Sequence, residues 1–200
     1  MDVEAPVDAG DGLEVVAEVG LELPVRWIGV WSSTDGCVRR CGRSGGMNLR
    51  GYADPEALPS GQPSRIARLL AIPDSEAVDD VQLARRVSHG LDPASVAALG
   101  DVLGRSQVIG PIVPEATLRR IRKAGKRLPR ELSERLYEIG RVVDAASLVY
   151  HGDEQAIETF LNEPHPLLDG ATPFDMARSC SAGSDAVLNL MRRIEASVVV

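Results

Sequence analysis

Short segments with helical spacing follow one another from Asp80 to the end of the chain. Within them apolar residues recur every three or four positions, which is the spacing of one face of an α-helix. Asp92-Pro93 and Thr172-Pro173 each combine a capping side chain with a proline in the first turn, which marks a helix start. Gly90 and Gly104 mark helix ends. Short helices joined by tight turns predict an all-α fold.

The buried sides of these helices can be read from the spacing. In the first helix Val81, Ala84 and Val87 share a face, and the longest helix is expected from Arg130 to Tyr150. Between Thr172 and about Ser179 a short helix is expected, followed by a break at Ser181-Ala-Gly-Ser184. The last helix then has an apolar side formed by Val187, Leu190, Met191, Ile194 and Val198.

No sustained period is visible in the first 80 residues. Met1 to Glu22 carries seven carboxylates and no Lys or Arg, Trp27 to Trp31 is a short apolar run that fits a strand, and Ile66 to Leu70 fits one or two helical turns. We therefore expect residues 1–80 to form a poorly ordered, largely irregular N-terminal extension. A further hypothesis is that translation starts at Met47.

Composition limits the class of protein. The chain has 200 residues, 44% of them hydrophobic, and a net charge of −7, and it contains no apolar run long enough to cross a bilayer. The acidic N-terminus is unlike a secretory signal, so a cytoplasmic protein is expected. The three cysteines are an odd number, and Cys37 and Cys41 lack the spacing of a zinc or redox site, so neither a metal nor another cofactor is expected.

Catalytic patterns are missing from the sequence. The histidines His89, His151 and His165 have no flanking motif of a hydrolase or a metalloprotease, and Gly42 to Gly46 lacks the Lys-Ser/Thr end of a phosphate-binding loop. We therefore predict that the protein is not an enzyme.

Positive charge is concentrated between Arg105 and Arg135. This segment holds nine basic and three acidic residues, a net charge of +6 in an acidic chain. Such a concentration is typical of a surface that binds phosphate groups of nucleic acid. The alternative is a solvated helical face in a chain that uses 20 arginines and two lysines.

The C-terminal motifs resemble the toxin-binding domain of the Xre/MbcA/ParS antitoxins. The matching residues are Phe160-Leu161, His165-Pro166, Leu168 to Gly170, Thr172-Pro173-Phe174 and Arg193-Ile194-Glu195. Phe160 replaces the usual Trp, His165 the usual Asn, and Ala196-Ser197 the usual Gly. The resemblance implies a structural motif of His165, Pro166, Gly170, Thr172, Pro173 and Phe174. We expect the toxin contacts at Arg192, Arg193, Glu195, Val198, Val199 and Val200.

The basic segment resembles the helix-turn-helix of Xre-type antitoxins. Thr117-Leu118-Arg119-Arg120, Gly125, Leu128 and Ser133 to Leu136 carry this resemblance, although Gly110-Pro111 breaks the preceding helix. The expected DNA-binding residues are Thr117, Arg119, Arg120, Lys123, Lys126, Arg127 and Arg130. The expected divisions are an Xre-like helix-turn-helix domain at 81–136, a linking helix at 137–152 and a toxin-binding domain at 153–200.

These resemblances imply the antitoxin of a type II toxin–antitoxin pair. Its partner would be a RES-family toxin that degrades NAD, and the C-terminal helix and tail would block the toxin's active site. The chain would also bind operator DNA as a transcriptional repressor of its own operon, as a homodimer or within a toxin–antitoxin hetero-oligomer. Two alternatives remain open: a stand-alone helix-turn-helix transcriptional regulator, and an antitoxin that has lost DNA binding.

Overall fold

The computed structural model of the protein describes Leu49, Tyr52 and residues 58–198, without the side chains of 197 and 198. The helices are α1 (Gln62–Leu69), α2 (Asp80–His89), α3 (Ala94–Leu103), α4 (Arg105–Val108), α5 (Glu115–Ala124), α6 (Arg130–Val149), α7 (Glu154–Asn162), α8 (Pro173–Ser179) and α9 (Ser181–Val198). Two 3₁₀ helices, Ser75–Ala77 and Pro166–Leu168, lie between them. No β-strand occurs within the described residues, and the predicted all-α fold is confirmed.

Capping side chains and a glycine set several helix boundaries, among them the start of α8 that was predicted at Thr172-Pro173. The Thr172 hydroxyl accepts a hydrogen bond from the Asp175 N–H at 3.0 Å, and Pro173 is the first residue of α8. Asp153 accepts from the N–H groups of Gln155 and Ala156 at the start of α7. At the end of α5, Gly125 adopts the left-handed conformation with φ of 60°. The local signals in the sequence therefore fix these helix ends.

The long helix α6 is the centre of the fold. It packs against α1, α2 and α3 and also against α7, α8 and α9, and it buries Leu136, Ile139, Val142 and Val143. In the last turn of α6, Leu148 is 38% exposed. The segment predicted as a linking helix is thus part of α6, and it lies at the centre of the hydrophobic core.

Part of the predicted N-terminal extension belongs to that core. In and just after α1, Ile66, Leu69 and Leu70 are almost completely buried, and Ile72 and Val78 are buried beyond it. The expectation of poorly ordered chain is therefore wrong for residues 58–80. It failed because α1 is only eight residues long, too short for its apolar period to stand out. The suggested strand at 27–31 and the suggested start at Met47 lie outside the described residues.

A buried polar cluster fastens the N-terminal residues to the middle of α6. The Asp144 side chain is 1% exposed and accepts hydrogen bonds from Arg65 Nε at 2.9 Å, Arg65 Nη2 at 3.1 Å and the Tyr52 hydroxyl at 2.9 Å. Burial, and next the negative charge of Asp144, raise the pKa of Tyr52, so its phenol stays protonated and donates. The carboxylate thereby joins two elements more than 75 residues away along the chain.

The buried face of α2 differs from the predicted one. Leu83 and Val87 are buried, whereas Val81 is 58% exposed and Ala84 is also exposed. The spacing of Val81, Ala84 and Val87 was compatible with a helical face, but Leu83 is larger than Ala84 and buries more apolar area on the adjacent side. Val81 is left on the surface.

The expected break at Ser181-Ala-Gly-Ser184 is also wrong, because these residues form the first turn of α9. A Cβ atom on Gly183 would lie 2.1 Å from the carbonyl oxygen of Met176 in α8. The buried Ser184 hydroxyl donates to the Ala177 carbonyl at 2.9 Å. The small residues are therefore required by the close approach of α8 and α9 rather than by a turn.

Candidate functional site

The turn between α7 and α8 is held together by its own hydrogen bonds. The His165 N–H donates to the Ala171 carbonyl at 3.1 Å, and the N–H groups of Leu168 and Gly170 donate to the His165 carbonyl at 3.0 and 3.1 Å. Gly170 has a positive φ of 77°. The turn has a fixed geometry, as its two prolines and its glycine predict.

His165 caps this turn with its side chain. Its Nδ1 accepts a hydrogen bond from the Leu167 N–H at 3.2 Å, at the start of the 3₁₀ helix Pro166–Leu168. An asparagine side chain makes the same bond to the residue two positions later, so the imidazole supplies the acceptor that the usual Asn would supply. Burial lowers the pKa of His165, which keeps the ring neutral and able to accept.

The other motif residues lie around this turn. Pro166 is the first residue of the 3₁₀ helix and is exposed, whereas Pro173 and Phe174 are buried at the start of α8. Leu168 is buried and the 3₁₀ helix packs against α9. The structure thus brings the predicted motif residues together as one support for α8 and α9.

The predicted toxin contacts lie on the solvent side of α9. Arg192, Arg193 and Glu195 are exposed, and Arg192 Nη1 donates to the Asn189 side chain at 2.9 Å. Leu190 and Met191 are buried on the opposite side of the helix. The polar residues are therefore free to meet a partner. The Val198 side chain and residues 199 and 200 lie outside the described residues.

The basic residues of α5 share one exposed face. Leu118 and Ile121 are the buried residues of this helix, and helical spacing places Arg119, Arg120 and Lys123 on the opposite side. Lys126 and Arg127 continue the exposed positive charge into the next turn. Within the described residues none of these five side chains has an ion pair. Their charge is available to an anionic ligand.

Three predicted DNA-binding residues are half-buried or already bonded to other groups of the protein. Thr117 is half-buried beside the inner side of α5 rather than on the basic face. Arg127 Nη1 donates to the Gly90 carbonyl at 3.3 Å. Arg130 pairs with Glu134 at 2.6 Å on the surface of α6. The structure therefore brings together Arg119, Arg120, Lys123 and Lys126 most clearly.

The element before α5 is one turn of helix followed by a tight loop. The N–H groups of Ile112 and Val113 donate to the Val108 carbonyl, and the Gly110 N–H donates to the Val113 carbonyl at 2.9 Å. Val108, Ile112 and Val113 are buried. The predicted interruption of the helix at Gly110-Pro111 is confirmed. The loop that follows α4 is packed into the core by the buried side chains of Ile112 and Val113.

A groove with a volume of about 1020 Å³ lies between α2, α6 and the α8–α9 junction. Cys180 lines it without any histidine, so it offers no Cys–His pair for nucleophilic chemistry. Over residues 58–198 together with Leu49 and Tyr52, no three His, Cys, Asp or Glu side chains are grouped as metal ligands. None of the helices described combines the length and apolarity of a membrane crossing.

One exposed residue of this region was missed by sequence reasoning. Leu167 is 47% exposed, whereas its neighbour Leu168 is buried. Two adjacent leucines carry no signal that separates a buried from an exposed side chain. The difference arises from tertiary packing, because the 3₁₀ helix that contains both leucines packs against α9 and only Leu168 is buried.

Comparison with known protein families identifies the region. Residues 145–196 match the antitoxin Xre/MbcA/ParS C-terminal toxin-binding domain. This range starts in the last turns of α6, before the predicted boundary at residue 153, and includes α7, α8 and most of α9. A search of curated proteins finds no match. Residues 145–196 are therefore similar to the toxin-binding domain of the Xre/MbcA/ParS antitoxins, as the sequence motifs predicted.

Proposed function

We propose that the protein is the antitoxin of a type II toxin–antitoxin pair and neutralises a RES-type toxin that degrades NAD. The match of residues 145–196 to an antitoxin toxin-binding domain carries this proposal. The C-terminal helix and tail cover the toxin's NAD pocket, so neutralisation is steric exclusion and the chemistry belongs to the partner.

The exposed side of α9 supports this mechanism. Arg192, Arg193 and Glu195 present opposite charges on a helix whose other side is anchored in the core. Such charges select a partner and its orientation more than they add affinity. Affinity then comes mainly from apolar area that the toxin covers, at about 25 cal/mol per Å² before the costs of association.

Co-expression with the neighbouring gene tests the proposal. The whole chain should restore both growth and cellular NAD, and a chain that ends at Glu163 should restore neither, because it lacks α8 and α9. Equal protection by the truncated chain would contradict neutralisation by the C-terminal helices. A neighbour that is harmless by itself would favour a stand-alone transcriptional regulator.

We further propose that residues 81–136 bind operator DNA and repress the operon. The unpaired basic face of α5 supports this, since phosphate contacts require exposed cations without internal partners. Two-fold operators are read by paired modules, which implies a homodimer or a toxin-bridged hetero-oligomer in the cytoplasm.

A second candidate is an antitoxin that does not bind DNA. The observation in its favour is that α4 is only four residues long, whereas helix-turn-helix docking relies on a first helix that braces the reading helix. A mobility shift with the upstream DNA separates the two candidates. Absence of a shift at low salt would favour the second.

A further inference from the structure

The turn between α7 and α8 exposes a large apolar side chain. Leu167 is 47% exposed, while its neighbour Leu168 is 5% exposed in the same 3₁₀ helix. Pro164 and Pro166, on the same turn, are exposed as well. Of the large hydrophobic side chains that the structure describes, Val81 and Leu148 are the others on the surface. The prolines distinguish Leu167, because two further exposed apolar side chains lie within three residues of it in the chain.

This apolar surface is held rigidly. The Leu167 N–H donates to His165 Nδ1 at 3.2 Å, and the N–H groups of Leu168 and Gly170 donate to the His165 carbonyl. Both prolines have a fixed φ angle. A side chain presented on a preorganised loop loses little conformational entropy when a partner covers it. The arrangement suits recognition better than a flexible loop would.

The charges around the leucine indicate the chemistry of its partner. Glu163 and Asp169 flank the turn, both are exposed, and neither has an ion pair within the described residues. A complementary surface would be an apolar pocket with a basic rim. The 3₁₀ helix packs against α9, so Leu167 belongs to an element adjacent to the helix that carries the predicted charged toxin contacts.

We propose that Leu167 is an apolar anchor that the toxin receives in a leucine-sized pocket bordered by Lys or Arg. This inference rests on the proposed function, because the occupant is the toxin bound by residues 145–196. It adds a second contact area, away from the charged residues of α9, and it assigns Leu167 a recognition role in addition to its place in the turn.

Titration calorimetry with the purified toxin tests the anchor in the whole chain. Leu167→Ser should weaken binding about tenfold, since it removes the apolar area of a half-exposed leucine from the interface. Leu167→Met should stay within about threefold of the wild type, because it conserves volume and polarity. Val81→Ser, at an exposed apolar position outside the matched domain, is the control and should leave affinity unchanged. Circular dichroism of each variant verifies the fold.

The outcomes separate the anchor from the function on which it rests. Tight binding by Leu167→Ser would overturn the anchor and leave toxin binding in place. Equal loss with Val81→Ser would show a non-specific effect and would also overturn it. If the wild type itself fails to bind, both proposals fall. Glu163→Gln combined with Asp169→Asn should lower the association rate severalfold at low salt. An unchanged rate would contradict the proposed rim of Lys or Arg around the pocket.

Discussion

Replacing Asp144 by alanine should strongly destabilise the protein. This carboxylate is 1% exposed and is the shared acceptor of Arg65 and Tyr52, and the Arg65 side chain itself is 12% exposed. The substitution leaves a guanidinium group nearly buried with no counter-charge. Loss of one partner of a buried ion pair costs about 3–5 kcal/mol, because the remaining charge is desolvated without compensation.

Graded variants separate the contributions to this cost. Tyr52→Phe removes one hydrogen bond to a charged group and should cost about 1.5–3 kcal/mol. The double substitution Arg65→Met with Asp144→Leu removes both charges and keeps apolar volume, so it should cost less than Asp144→Ala alone. Glu134→Ala disrupts the exposed ion pair with Arg130 and serves as the control, because solvent screens an exposed pair and its loss should leave the free energy of unfolding almost unchanged.

Urea unfolding followed by circular dichroism at neutral pH measures these differences, provided that the slope against denaturant stays constant. A cost below about 1 kcal/mol for Asp144→Ala would contradict the buried cluster. The account would also be contradicted if the cost of the double variant equalled the sum of the costs of Arg65→Met and Asp144→Leu measured separately. Substitutions within one hydrogen-bonded network should not be additive.

Four further predictions concern other regions. Gly140→Ala should raise the unfolding free energy by about 0.5–1 kcal/mol, because alanine favours the helix and its Cβ would meet only ordinary contacts at 3.6 Å. Gly183→Ala should lower it by about 1–3 kcal/mol through the clash with α8. Burial lowers the pKa of His165, so the hydrogen bond that its neutral ring accepts should stabilise the protein above about pH 6.5. This stabilisation should disappear as the pH falls through the lowered pKa. His165→Asn should remove the pH dependence, because an amide does not titrate. Arg119→Ala with Arg120→Ala should reduce the salt slope of DNA binding by about two.

Urea unfolding should show a higher free energy of unfolding for Gly140→Ala and a lower one for Gly183→Ala than for the wild type. Equal destabilisation by both substitutions would refute the contacts assigned to these glycines. Thermal unfolding of His165→Asn and the wild type should diverge only at acidic pH, and parallel curves would show that the cap does not titrate. Arg178→Ala, on α8, is the control for DNA titrations at several salt concentrations, and an equal change there would refute a specific role of α5.

The sequence predicted those parts of the fold that depend on neighbouring residues. The caps at Asp153 and Thr172 act within three residues of the helix start, so their identity alone determines where α7 and α8 begin. The glycine at 125 ends α5 for a similarly local reason. The exposed basic face of α5 is also a local feature, because Leu118 and Ile121 of the same helix are its buried residues.

Other features depend on residues that are distant along the chain. Asp144 resembles any helical aspartate until Arg65 and Tyr52 are brought to it. Gly183 looks like a helix breaker until α8 approaches it. In the candidate site, the motif turn was predictable from its prolines and glycine, but the exposure of Leu167 was not, because a tertiary contact decided which of two leucines is buried.

The most direct test of neutralisation by steric exclusion is the initial rate of NAD cleavage by the purified toxin at several concentrations of NAD and of this protein. The account predicts competition, in which the antitoxin raises the apparent KM for NAD, leaves kcat unchanged, and is displaced by saturating NAD. A fall in kcat at unchanged KM would show inhibition from a site that does not overlap the NAD pocket. That result would contradict the proposal that the C-terminal helix and tail cover the pocket.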